Sequence, residues 1–75
     1  MNSTPSQRIG QLLRQSRKDA GLTQQQLAAH LGCAQATVSA WEAGTYEPSI
    51  GALIQLSDIL DVPSGAWIEA GKEPA

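Results

Sequence analysis

The strictest constraint on this chain is its punctuation between Leu22 and Gly44. A helical stretch opening at Thr23 meets Gly32 only nine residues later, and a second stretch runs from Gln35 to Ala43 before Gly44 stops it. Only Cys33 and Ala34 separate Gly32 from the second stretch. Two short helices joined so tightly cannot fold back antiparallel, so they must cross steeply. Gly32 permits the sharp turn because it adopts positive φ, where a β-carbon would clash. Thr23 with Gln26 forms a capping box, and Leu22 is placed to pack back on Leu27 as a hydrophobic staple. Leu27, Ala28 and Leu31 make one inward stripe, with Val38 and Trp41 inward on the next helix.

Three further helices flank this pair. Ile9, Leu12, Leu13, Ser16, Arg17 and Ala20 recur at helical spacing, which predicts a first helix from about Ser6 to Ala20, after Pro5 and stopped by Gly21. Ser49 is a good N-cap for a fourth helix, with Ile50, Leu53, Ile54, Ser57 and Leu60 as its expected buried face. Pro63 then permits a short fifth helix that carries Trp67 and Ile68 and ends near Gly71. The chain of 75 residues, 41% of them apolar, has room for one all-α domain. We expect it to span 1–75, with a core over 6–70, the crossed pair at 23–43, and disordered ends at 1–5 and 71–75. No repeat or linker divides it.

Composition excludes several classes of function. Cys33 is the lone cysteine, so no internal disulfide forms, which fits a cytoplasmic setting. No apolar run approaches the roughly 20 residues that span a bilayer, and residues 1–6 lack the order of a secretory signal. His30 and Cys33 lie three apart, but zinc needs four ligands and no second cysteine or histidine is present. A Cys33–His30 nucleophile pair lacks an orienting group and a pocket. Asp58 and Asp61 read as a solvated helix edge, and no glycine loop cradles phosphate. We therefore expect no catalytic residue, metal, cofactor, small-molecule substrate or membrane contact.

The charge is lopsided. The net charge is −2, yet residues 1–46 hold Arg8, Arg14, Arg17 and Lys18 against Asp19 and Glu42. From Glu47 onward, Lys72 faces Glu47, Asp58, Asp61, Glu69 and Glu73. Any cationic face therefore belongs to the first half. It is a weak one, and so is the counterion release it would bring.

The run from Leu22 to Gly32, continued through Cys33–Gly44 and closed by Glu47-Pro48-Ser49, resembles the Cro/phage-repressor helix-turn-helix family (Xre-like). The likeness extends to Ile9-Gly10, Arg17 and Leu60-Asp61-Val62, and covers roughly residues 9–68. It implies a compact five-helix bundle of the lambda-repressor-like type that binds double-stranded DNA as a transcriptional regulator. In that family the second helix crosses the phosphate backbone and the third enters the major groove. The resemblance implies a phosphate contact at Gln24, at a helix N-terminus that already favours anions. Gln35 matches the first exposed residue of the recognition helix, where a glutamine pairs with adenine N6 and N7. Gln24 and Gln35 are also placed to bond each other. Ala36, Ser39 and Ala40 share the exposed face, and an alanine there offers only an apolar contact such as to a thymine methyl. Thr37, Thr45 and Tyr46 fall where backbone contacts are expected. Arg17 and Glu42 occupy positions that commonly form a salt bridge, whose role is orientation more than stability.

The departures matter too. Ala34 stands where the family often has serine or threonine, a lost cap of about 1 kcal/mol. No lysine or arginine lies between Asp19 and Gly71. Readout through Gln35 alone gives about 1–3 kcal/mol of discrimination, so a dimer, a partner or the N-terminal arm must add contacts. Arg8 either reaches a phosphate or points into solvent. Trp67 and Ile68 either close the core or leave an apolar patch for a second copy. The leading expectation is a repressor, a homodimer on a palindromic operator. The alternative is a protein-interaction module of the same fold, antitoxin-like or anti-repressor, with weak DNA binding.

Overall fold

The computed structural model describes residues 3–72, and Met1, Asn2 and 73–75 lie outside it. Five helices follow in order: α1 (Pro5–Asp19), α2 (Gln24–Leu31), α3 (Gln35–Ala43), α4 (Ile50–Leu60) and α5 (Ser64–Gly71). α1 packs against α3 and α5, α2 against α3 and α4, and α4 against α5. One core joins them, built from Ile9, Leu13, Leu27, Ala28, Val38, Leu56, Leu60 and Trp67. The fold is all-α.

Four helices close in the same way. After α1, α2, α3 and α4 comes a residue with positive φ: Gly21, Gly32, Gly44 and Asp61. The next amide donates back into the last turn, as Leu22 N–H does to Arg17 O, Cys33 N–H to Ala28 O, Thr45 N–H to Ala40 O and Val62 N–H to Ser57 O. These are Schellman closures, which satisfy carbonyls that a helix end otherwise strands. Leu22, Cys33 and Val62 also pack on the core, while Thr45 stays exposed.

The close approach of α1 and α3 depends on Gly10. A β-carbon there would lie 2.3 Å from Trp41 O and 2.8 Å from Glu42 O. A hydrogen atom is all that fits between the two backbones.

Several sequence expectations need correction. α1 begins at Pro5, a residue earlier than expected, because Thr4 supplies the cap, with its hydroxyl accepting from Gln7 N–H and Gln7 Oε1 accepting from Thr4 N–H. The disordered end expected at 1–5 therefore does not include Thr4 and Pro5. Gly71, expected to open the frayed tail, closes α5. Ser3 and Lys72 are likewise placed, Ser3 O accepting from Arg8 and Lys72 capping α5, while the remaining residues of both expected ends, 1–2 and 73–75, lie outside the described residues. Ala20 is exposed beyond α1. On α4, Ile50 and Ile54 are 77% and 54% exposed; Leu60 is buried as expected, and Leu56, outside the expected face, is buried with it. The buried side of α4 is the one carrying Leu56 and Leu60, which join Trp67 in the core, and Ile50 and Ile54 lie off it. Trp67 closes the core and donates from Nε1 to Ser57 Oγ at 2.8 Å. Ile68, its neighbour, is 67% exposed.

Arg8 neither faces open solvent nor stands free for a phosphate. Its Nη2 donates to Gly71 O at 2.8 Å, its Nε to Ala70 O at 3.2 Å, and its Nη1 to Ser3 O. The carbonyls at the end of α5 attract this cation because they carry the negative end of the helix dipole.

Candidate nucleic-acid interface

α3 has a buried back and an open front. Val38 is fully buried and Trp41 packs on the core, which turns Gln35, Ala36 and Ser39 outward. Ala28, itself buried, lets α2 cross beneath α3. The N-terminus of α3 carries no side-chain cap, since Ala34 has none to offer. Thr23 caps α2 with its hydroxyl, which accepts from Gln26 N–H, and Gln26 Oε1 returns the bond to Thr23 N–H.

Behind the open face sits a buried ion pair. Arg17 Nε donates to Glu42 Oε2 at 2.6 Å and Nη2 to Oε1 at 3.1 Å, with the two side chains only 10% and 5% exposed. Arg17 Nη1 also donates to Leu22 O at 2.8 Å, so one guanidinium holds α1, the turn before α2, and α3. The hydrogen bond to Glu42 raises the Arg17 pKa against the opposing effect of burial. Such a two-pronged pair fixes direction as well as distance.

The pair reaches the surface through two amides. Gln24 Nε2 donates to Glu42 Oε1 at 3.1 Å, and Gln35 Nε2 lies a long 3.4 Å from Gln24 Oε1. Gln24 is half-buried and Gln35 exposed. The structure thus brings Gln24, Gln35, Arg17 and Glu42 together in one network.

The other expected residues divide between two hollows. Ala36, Thr37 and Ala40 line a shallow apolar one with Trp41 and Tyr46. Ser39 lines a more polar one with Arg14, Arg17, Gln24, Glu42 and Ala43. Thr45 is exposed at the end of α3, away from the Gln24–Gln35 pair. Sequence reasoning passed over Arg14, an exposed cation of α1 that shares the hollow with Ser39. Its signal was its place one turn before Arg17.

Among the described residues, no helix is long and apolar enough to cross a membrane. A family model described as helix-turn-helix matches residues 13–67. An uncharacterized HTH-type transcriptional regulator, YqaE, of Bacillus subtilis is 44% identical over 50 residues, which is 67% of this chain and 43% of the relative. An uncharacterized HTH-type transcriptional regulator of Methanothermobacter thermautotrophicus is 46% identical over 39 residues, 52% of this chain and 56% of that protein. The chain spans about half the length of the curated relatives it matches. With the crossed α2–α3 pair, the glycine turn at Gly32 and the family match over most of its length, the chain belongs to the Cro/C1-type, Xre-like helix-turn-helix family.

Proposed function

We propose that this chain is a transcriptional regulator that binds double-stranded DNA with α3 in the major groove, and acts as a repressor by occupying its site. The open outer face of α3, with Gln35 leading it and Val38 anchoring its back, carries the reading. A helix backed by a rigid core and fronted by short side chains can approach base edges closely. Gln24, in the first turn of α2, is suited to a phosphate because helix N-termini attract anions. Arg14 and Thr45 flank the face as further backbone contacts, and Ala36, Thr37, Ser39 and Ala40 fill the groove. The names of the two relatives, both HTH-type transcriptional regulators, point the same way.

The same reading includes a homodimer. Ile50, Ile54 and Ile68 form an exposed apolar face around a shallow hollow shared with Leu53, Ser64 and Trp67. Apolar faces of this kind favour burial against a partner. A two-fold axis there repeats α3 on a palindromic operator, with half-sites about 34 Å apart.

A mobility-shift titration against duplexes selected from a random pool tests the proposal. The expected result is saturable binding that weakens as salt rises, and that falls at least about tenfold in Gln35→Ala. If no duplex is retained even at low salt, the reading fails. A second reading, a protein-interaction module, is favoured by the net charge of −2 and the absence of Lys or Arg between Asp19 and Gly71. It gains if no duplex binds at low salt while a protein partner co-purifies with the chain.

A further inference from the structure

We propose that the hollow between the C-terminal ends of α1 and α4 is a docking site for a basic side chain, a lysine or arginine presented by a protein partner. The hollow is lined by Ser16 and Asp19 on one side and by Ile59, Leu60, Asp61 and Val62 on the other. None of these residues belongs to α2 or α3. The site is therefore separate from the DNA-facing edge and does not depend on the regulator reading.

The first argument is charge. Asp19 and Asp61 are exposed and share the hollow, and no lysine or arginine is among the described residues that line it. Lys18, in the same last turn of α1, is exposed but lies outside the lining. Asp19 Oδ1 accepts from Gln15 Nε2 at 2.8 Å, which leaves a carboxylate several further places to accept a hydrogen bond. The backbone adds to this charge. α1 ends at Asp19 and α4 at Leu60, so the negative ends of two helix dipoles meet at one place, where cations are favoured.

The second argument is Ser16. It is only 9% exposed, and its hydroxyl has no hydrogen-bond partner among the described residues, yet no sealed side-chain polar atom is left unpaired. Its Oγ is therefore open to water, and the hollow that Ser16 lines is where it opens. A hydroxyl in that position accepts from an ammonium or guanidinium. The third argument is the floor. Leu60 belongs to the core, and Ile59 and Val62 pack against it. A lysine or arginine lays its methylene stem on such apolar surface and keeps its charged head among polar groups. A divalent metal ion fits less well, since no cluster of three or more His, Cys, Asp or Glu gathers among the described residues. Nucleic acid fits worst, because both carboxylates repel phosphate.

The test follows backbone amide shifts by NMR in the isotope-labelled full chain. The probes are a blocked alanine-lysine-alanine tripeptide and the same peptide with norleucine in place of lysine, which keeps the stem and removes the charge. The lysine peptide should give saturable shifts that centre on Ser16, Asp19 and residues 59–62 and weaken as salt rises. The norleucine peptide should bind at least about fivefold more weakly, and the double variant Asp19→Asn with Asp61→Asn should weaken the lysine peptide by a similar factor. Asparagine tolerates the left-handed backbone of Asp61, at φ 56°, so this variant should keep its fold. Ser16→Ala should cost the lysine peptide about twofold. Asp58→Asn removes a carboxylate that is exposed on α4 but outside the lining, and should change binding less than twofold. Equal binding of the two peptides, an Asp58→Asn loss as large as that of the double variant, or shifts that centre elsewhere overturns the inference. So does a lysine peptide that gives no saturable shift at the hollow. Should the double variant unfold, the norleucine comparison and Ser16→Ala decide on their own.

Discussion

The domain presents two unlike exposed faces. On one, the outer edge of α3, the exposed Gln35 is hydrogen-bonded through Gln24 to a buried ion pair. On the other, α4 and α5 expose Ile50, Ile54 and Ile68 around a hollow that is mostly apolar. The first is ordered by direction: donors and acceptors fix where each amide points, which suits a hydrated partner with its own pattern of donors and acceptors. The second has no directional content and gains only by losing water. A small protein can therefore separate recognition from association by giving one surface hydrogen-bond polarity and the other plain area.

The sharpest way to break this contrast is from behind the apolar face. Trp67→Ala empties the core beneath Ile68 and strands Ser57 Oγ, and we expect a loss of about 4 kcal/mol in urea denaturation. A native-like midpoint would mean that α5 is not needed to hold that face. Next comes the polar side. Arg17→Ala leaves Glu42 buried without its cation and should cost about 3 kcal/mol. The paired replacement Arg17→Met with Glu42→Leu should recover most of that stability yet leave DNA discrimination impaired, because apolar groups cannot orient Gln24. If the double variant stays both stable and selective, the polar network does not order the face.

A smaller effect tests the base of the reading helix. Ala34→Ser restores the missing cap of α3 and should add about 1 kcal/mol, raising the melting temperature by about 4–8 °C for a domain of this size. The smallest expected change in monomer stability, within about 0.5 kcal/mol, is that of Ile54→Lys and Ile68→Glu, since both side chains are already exposed. Analytical ultracentrifugation should nonetheless show a shift to monomer. A dimer that persists in both variants would place association elsewhere.

Much of this was legible in the sequence, and for definite reasons. Gly21, Gly32 and Gly44 end their helices at positive φ, and Thr23 with Gln26 forms the box its spacing requires. These signals are local, so a short window of sequence contains them. The phase of α4 was not local. Ile50, Ala52, Leu53, Ile54, Leu56, Ile59 and Leu60 put apolar groups on every side of one short helix, and only the position of α5 decides which of them is covered. Two partners of Arg8, Ala70 O and Gly71 O, lie more than sixty residues away and are backbone carbonyls, which no residue-type pattern encodes. In the candidate interface, the pairing of Gln24 with Gln35 followed from the family likeness. The link from Gln24 to Glu42, and Arg14's place beside Ser39, needed the crossing of three helices to appear.

Arg8 has one more consequence. By gripping Ser3 and the last turn of α5 with a single side chain, it holds the two ends of the fold within the reach of one guanidinium. A circular permutant that links Lys72 to Ser3 through a few glycines, with new termini cut between Tyr46 and Glu47, should therefore fold. By the same geometry, any peptide fused at either end would leave the molecule from one shared corner.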